Sequence, residues 1–299
     1  MLVLKKVLVL GGTRFFGKRL VHGLVEAGAD VTVATRGLAE VELPPGVKRL
    51  TLDRDDRESL SAAGEQSWDI VYDNICYSSQ NALDACDVFR GKVGKYVLTS
   101  TLSVYDFSDE SLKEEAFDPF HYEILPATRE KVTYQEGKRQ AEAVFFQQSD
   151  FPVAAVRFPI VLAEDDYTQR LHFHVEHIQQ ERPIGIANPQ AIMCFIHAQE
   201  AAEFLHWVGT SSLTGPINAC SNGTIRQQSL MENIAQIVGK PVELVAEQDA
   251  ADFSPFAFPA SFYMDNQKAQ AAGFTFRELD EWLPELIQTI STKLSTPKV

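Results

Sequence analysis

The 299 residues read as a doubly wound α/β protein, a parallel sheet with helices on both faces, followed by a small C-terminal substrate-binding lobe. Two observations carry this reading. The first is the opening stretch Lys6 to Arg19, KVLVLGGTRFFGKR, in which an apolar run, a glycine turn and an amphipathic run follow without a gap. The second is the alternation of short apolar strands with helical stretches through the first half of the chain.

Taking the elements in order, Lys6 to Leu10 has no turn residue and reads as a strand buried on both faces. Gly11-Gly12 then turns the chain, and the next helix places Phe15, Phe16, Leu20, Leu24 and Val25 on one side. Gly17 stands where a side chain would hold helix and strand apart. The free N–H groups and dipole of this helix start attract a pyrophosphate, which makes Gly11, Thr13, Phe15, Phe16 and Gly17 candidate cofactor contacts. The spacing is Gly11-x-x-Arg14-x-x-Gly17, with Arg14 where a glycine is usual.

Asp30 to Thr35 is a second strand, closed by Arg36-Gly37. Dinucleotide folds that select NAD place an acid at this strand end, for the ribose hydroxyls. Here stand Thr35 and Arg36. A guanidinium bonds a 2′-phosphate through parallel donors where a carboxylate repels it, so Arg36 with Arg14 favours NADP over NAD. A third strand, Val47 to Leu52, ends in Asp53-Arg54, candidate adenine neighbours at the carboxyl edge where open sheets bind ligands. A fourth, Trp68 to Tyr72, ends in Asp73-Asn74, with Asn74 a further cofactor candidate. After a helix around Ala82 to Phe89, a fifth strand, Lys95 to Ser100, runs into Thr101.

Tyr134 and Lys138 lie four apart on one helix face, with Glu142 on the same row. A tyrosine has a reference pKa of about 10 and is a poor acid or base at neutral pH; a neighbouring ammonium favours the phenolate. Phe151 onward gives a sixth strand with Arg157 and Phe158 at its end, and Phe158 is a further cofactor candidate. Beyond it, Ile192 to Ile196 and Gly215 to Ala219 read as short strands, and Gln227 to Val238, Asp265 to Ala272 and a segment from about Glu278 as helices. The expected division is a dinucleotide-binding domain over 1–160 and, over 161–299, mostly the substrate lobe with some segments returning to the sheet.

Composition narrows the partners. A net charge of −14 opposes phosphate backbones, which makes nucleic acid a poor partner. No apolar run approaches the roughly 20 residues of a spanning helix. The N-terminus opens straight into a strand with no signal-type segment, so a cytoplasmic location is expected. Cys76, Cys86, Cys194 and Cys220 are scattered without a Cys-x-x-Cys pair and read as buried thiols. Of His172, His174 and His177 only the last two share a helical face, no third ligand stands at a suitable spacing, and no metal is expected.

Four segments, GGTRFFG, STLSVY at 100–105, YQEGKRQAE at 134–142 and FIHAQEAAEFL at 195–205, together resemble the extended and atypical short-chain dehydrogenases/reductases, the NAD(P)-dependent epimerase/dehydratase group. The resemblance implies a Rossmann domain and a catalytic set of Thr101, Tyr134 and Lys138. Thr101 would bond the reacting oxygen, Tyr134 exchange its proton, and Lys138 bind the nicotinamide ribose and tune Tyr134. The matched positions also discriminate. Dehydratases of this group carry an Asp-Glu pair where this chain has Leu102-Ser103, which leaves epimerisation or carbonyl reduction. Epimerases continue after the sixth strand with an Asn and a Tyr-Gly-Pro turn; Ala163-Glu164-Asp165-Asp166 stands there instead, and such acids repel a nucleotide diphosphate unless they face away. The implied substrate is a small molecule, a sugar or nucleotide sugar, and family members often dimerise through two helices of the Rossmann domain. A competing reading is a catalytically silent Rossmann-fold binding protein, since GGTRF turns are also similar to those of chloroplast stem-loop-binding proteins, which act on RNA.

Overall fold

The computed structural model describes residues 5–38, 41–246 and 252–295. Its first half runs β1 (Lys6–Leu10), α1 (Phe15–Glu26), β2 (Asp30–Thr35), β3 (Lys48–Thr51), a short α2 (Arg57–Leu60), β4 (Trp68–Asp73), α3 (Ser79–Phe89), β5 (Val93–Thr101), α4 (Tyr134–Gln148) and β6 (Val153–Phe158). The second half runs β7 (Ile160–Leu162), α5 (Arg170–Gln179), β8 (Ile184–Gly185), β9 (Ile192–Met193), β10 (Phe195–His197), α6 (Ala198–Thr210), β11 (Gly215–Asn218), β12 (Ile225–Arg226), α7 (Gln227–Val238), β13 (Leu244–Val245), α8 (Gln267–Ala271) and α9 (Leu279–Ser295).

Seven strands form one parallel sheet in the order β11-β6-β5-β4-β1-β2-β3. The fold is therefore the doubly wound α/β sheet that the sequence predicts. Val7, Leu8, Val9 and Leu10 are buried because helices cover both faces of their strand. Leu20, Val21 and Leu24 of α1 pack one face together with Phe204, Leu205 and Val208 of α6. Ala82 and Phe89 of α3 pack the other with Ala141, Val144 and Phe145 of α4.

Two expectations for the second half change. Gly215–Asn218 pairs with β6 and extends the main sheet, where the sequence reads as a strand of the lobe. The expected Ile192 to Ile196 strand is split at Cys194, with β9 pairing β12 and β10 pairing β7, because the chain switches partners there. The rest of the second half has its own core, in which Leu171, Val175, Leu230, Ile234, Leu283 and Ile287 bring α5, α7 and α9 together.

The strand order reverses beside β1, whose neighbours are β2 and β4, and a crevice opens past their carboxyl ends. Asn74 closes its floor, bonding the Leu10 carbonyl through its N–H at 3.1 Å and the Gly11 carbonyl through its side chain at 3.4 Å. Below the crevice, buried Arg157 on β6 donates to Glu142 of α4 at 3.0 Å and to the Tyr105 hydroxyl at 2.8 Å. Such a pair is costly to desolvate and costly to break, so it fixes α4 against the sheet.

Candidate functional site

The glycine turn is shaped by close approach. Gly11 has φ +79°, and a Cβ there would lie 2.6 Å from the Ile75 side chain; a Cβ on Gly17 would lie 2.6 Å from the Gly11 carbonyl oxygen. Arg14, where a glycine is usual, has an extended backbone (φ −134°, ψ 151°) that any residue adopts, and its side chain caps no N–H of α1. The left-handed position is instead Phe15 at φ 52°, a conformation that costs about 1–2 kcal/mol in a non-glycine residue. Its ring packs edge-on to Tyr167, while Phe16 packs on Phe158.

A cleft of about 460 Å³ runs from this turn along the ends of β1, β2 and β4. Gly11, Thr13, Arg14, Phe15, Phe16, Gly17, Thr35, Arg36, Asp53, Arg54 and Asn74 all line it. The Thr35 hydroxyl accepts the Gly37 N–H at 3.3 Å. Arg54 is buried and donates to Asp73 at 3.0 and 2.8 Å, so its charge is already matched. The cleft also takes Arg49, Tyr77, Arg129 and Tyr167, which no motif marks.

A second cavity of about 470 Å³ adjoins the first, and Phe15, Phe16, Asn74, Tyr77 and Tyr167 line both. Thr101, Tyr134, Lys138 and Phe158 line the second. The Thr101 hydroxyl oxygen accepts the Ser103 N–H at 3.1 Å, which leaves its own proton free to donate. Lys138 is 2% exposed, donates to the Thr99 carbonyl at 2.9 Å, and lies 4.4 Å from the centre of the Tyr77 ring. Tyr134, one turn earlier on α4, is 55% exposed, with its ring 6.2 Å from that of Tyr77. The approach of α4 that allows this rests on Gly137, where a Cβ would lie 2.2 Å from the Tyr77 carbonyl oxygen. Burial pushes the Tyr77 phenol up to about 12, so it stays neutral. Glu142, on the row below Lys138, is bound to Ser100 and Arg157 and acts beneath the cavity floor.

The far wall comes from the second half of the chain: Arg170, Pro255, Phe258 and Phe262, with the half-exposed Phe107 packed on both phenylalanines. Of the acids expected to repel a diphosphate, Asp165 is paired and Asp166 lines the second cavity. Arg19 of α1 grips both oxygens of Asp165 at 2.9 Å, and Asp166 accepts the Thr168 hydroxyl at 2.7 Å. His174 and His177 bond Ser254 and Asp252 and line neither cavity. The four cysteines are buried and free. Among the described residues no helix is long and apolar enough to cross a membrane.

This architecture recurs among solved structures. The chain superimposes on UDP-glucose 4-epimerase of Thermus thermophilus in complex with NAD, with a TM-score of 0.69 and 18% identity over 97% of this chain and 100% of that one. The fold is that of the nucleotide-sugar epimerases and dehydratases. dTDP-glucose 4,6-dehydratase of Bacillus anthracis, also in complex with NAD, gives a TM-score of 0.74 at 14% identity, covering 97% of each chain. UDP-N-acetylglucosamine 4-epimerase of Methanobrevibacter ruminantium, in complex with UDP-N-acetylmuramic acid, gives 0.71 at 17% identity over 97% of this chain and 98% of that one. By sequence, the chain is 25% identical to chloroplast stem-loop binding protein of 41 kDa b from Arabidopsis thaliana, across 94% of this chain and 75% of that protein. No family model matches the chain.

Proposed function

We propose that the chain is an NADP-preferring epimerase or carbonyl reductase of the extended short-chain dehydrogenase/reductase type, with Thr101, Tyr134 and Lys138 as its catalytic set. The supporting observation is the meeting of these three side chains in one cavity that opens into the glycine-turn cleft. The residues fit a nicotinamide dinucleotide: Gly17 lets the start of α1 close on the Gly11 turn, the α1 start has no side-chain cap, and Arg14 and Arg36 line the cleft as donors for a 2′-phosphate. The chemistry that a bound nicotinamide supplies is hydride exchange with the substrate carbon.

The chain's own residues would do the rest. Thr101 would donate to the reacting oxygen and hold it beside Tyr134, whose hydroxyl would pass or take the proton. Lys138, anchored by the Thr99 carbonyl, would keep a positive charge under that exchange. Leu102 and Ser103 offer no carboxyl group to expel a hydroxyl, which favours epimerisation or reduction over dehydration. Asp165 is paired with Arg19, whereas Asp166 lines the catalytic cavity beside Arg170; a nucleotide sugar stays within the substrate class with its diphosphate placed away from Asp166. The division into a dinucleotide-binding domain over 1–160 and a mainly substrate-binding lobe over 161–299 belongs to the same proposal, with β11 and α6 returning to the sheet.

NADPH and NADH titrations by fluorescence, with turnover of nucleotide sugars and small carbonyls by wild type and Tyr134→Phe, test this reading. Binding of neither dinucleotide removes the cofactor assignment, and undiminished turnover in the variant removes the mechanism. A second reading, an RNA-binding protein without catalysis, is favoured by the stem-loop-binding relative and opposed by the net charge of −14. A salt-dependent gel shift with stem-loop RNA, together with absent turnover, would establish it.

A further inference from the structure

We propose that Arg129, seated on the ring of Tyr77, is a second anion contact of the cleft, and that it binds the nicotinamide-side phosphate of the dinucleotide. This rests on the cofactor reading above. Three observations lead to it.

The first is charge. In a chain of net charge −14, five arginines line this one cleft: Arg14, Arg36, Arg49, Arg54 and Arg129. Arg54 is matched by Asp73, and Arg49 donates to the Val41 carbonyl. Arg129 enters no ion pair among the described residues; its guanidinium lies 4.4 Å from the Tyr77 ring centre.

The second is placement. Arg129 opens a short turn closed by the bond from the Lys131 N–H to the Thr128 carbonyl at 3.0 Å, and the segment before it is pinned to two helices. Ser79 of α3 donates to the Leu125 carbonyl and accepts the Ala127 N–H, both at 2.8 Å. Gln140 of α4 accepts the Leu125 N–H at 2.8 Å and donates to the Glu123 carbonyl at 2.9 Å. The guanidinium is thus delivered to the cleft by a fixed strap, which limits the ordering that binding would require.

The third is the ring itself. Tyr77 carries Lys138 at 4.4 Å as well as Arg129 at 4.4 Å, and it lines both cavities. Its neutral π-face holds each cation in place, so the ring joins the cleft that Arg129 lines to the cavity that Lys138 lines. This places Arg129 on the half of the dinucleotide nearer the nicotinamide, whereas Arg14 and Arg36 serve the adenosine half.

The test compares two ligands on the full chain: NADPH, by fluorescence, and 2′,5′-ADP, which lacks the nicotinamide-side phosphate, by calorimetry. Arg129→Ala is expected to weaken NADPH about tenfold, the scale of one charge-assisted hydrogen bond, and to leave 2′,5′-ADP within about twofold. Tyr77→Phe keeps NADPH affinity, and Tyr77→Leu, which also removes the ring from beside Lys138, loses at least as much as Arg129→Ala. Equal losses for both ligands, or no loss for either, overturn the proposal while the cofactor reading stands. Failure of the wild type to bind any nicotinamide dinucleotide overturns both.

Discussion

The Lys138 ammonium donates to the Thr99 carbonyl oxygen at 2.9 Å from a position that is 2% exposed. A buried cation with this partner is held by geometry, and its removal leaves a carbonyl unpaired in the interior. Lys138→Met is therefore expected to abolish turnover, weaken NADPH about tenfold, and destabilise the fold by about 1–3 kcal/mol. Chemical denaturation alongside the binding titration checks this. A variant with wild-type stability and affinity would show that the ammonium neither braces β5 nor meets the cofactor.

Gly17→Ala tests the turn. Its new Cβ would sit 2.6 Å from the Gly11 carbonyl oxygen, a backbone atom that moves only if the turn opens. NADPH affinity is expected to fall more than about tenfold, with a loss of stability of about 1–3 kcal/mol from overpacking. Gly23→Ala on the same helix meets nothing within 4 Å among the described residues and is the matched control, predicted to bind normally.

The parts of this design legible in the sequence are those with local periodicity. Strands buried on both faces announce themselves as apolar runs, and Tyr134 and Lys138 are visible because four residues make one helical turn. Tyr77, Arg129 and Arg170 reach the site from a loop, a strap and a helix start in three parts of the chain, so no spacing links them. The same holds for Arg19 and Asp165, which pair across 146 residues and change how the acid cluster bears on a diphosphate. Arg14 shows the reverse case. A departure from the glycine pattern reads as a defect until the backbone shows that Phe15, and not residue 14, takes the left-handed conformation.

Tyr72 of β4 carries a buried hydroxyl without a hydrogen-bond partner among the described residues, wedged against α6 where a Cβ on Gly209 would lie 1.9 Å from its oxygen. Burial raises its pKa, so the group is neutral and simply unsatisfied. Tyr72→Phe removes that oxygen at almost no loss of packing and is expected to stabilise the protein by about 1 kcal/mol, a rise in melting temperature of about 2 °C. A lower melting temperature would mean that the hydroxyl has a partner in solution, such as a buried water.

His174 sets a pH dependence whose sign follows from its contacts. The Arg170 carbonyl can only accept, so Nδ1 carries the proton in the 2.7 Å bond between them, and Nε2 accepts from the Ser254 hydroxyl at 2.7 Å. Complete burial opposes a second proton and lowers the pKa from 6.5 to about 3. As pH falls below 6.5 the unfolded chain takes up a proton that the folded chain refuses until about 3, so stability is lost through that window. The slope from this group is about 1.4 kcal/mol per pH unit. Melting temperature measured from pH 7.5 down to 4.5 should therefore fall less steeply for His174→Gln than for the wild type, even though the variant is less stable at pH 7.5. Parallel curves would mean that the imidazole acquires its proton in the folded state, with Ser254 turning to accept from it.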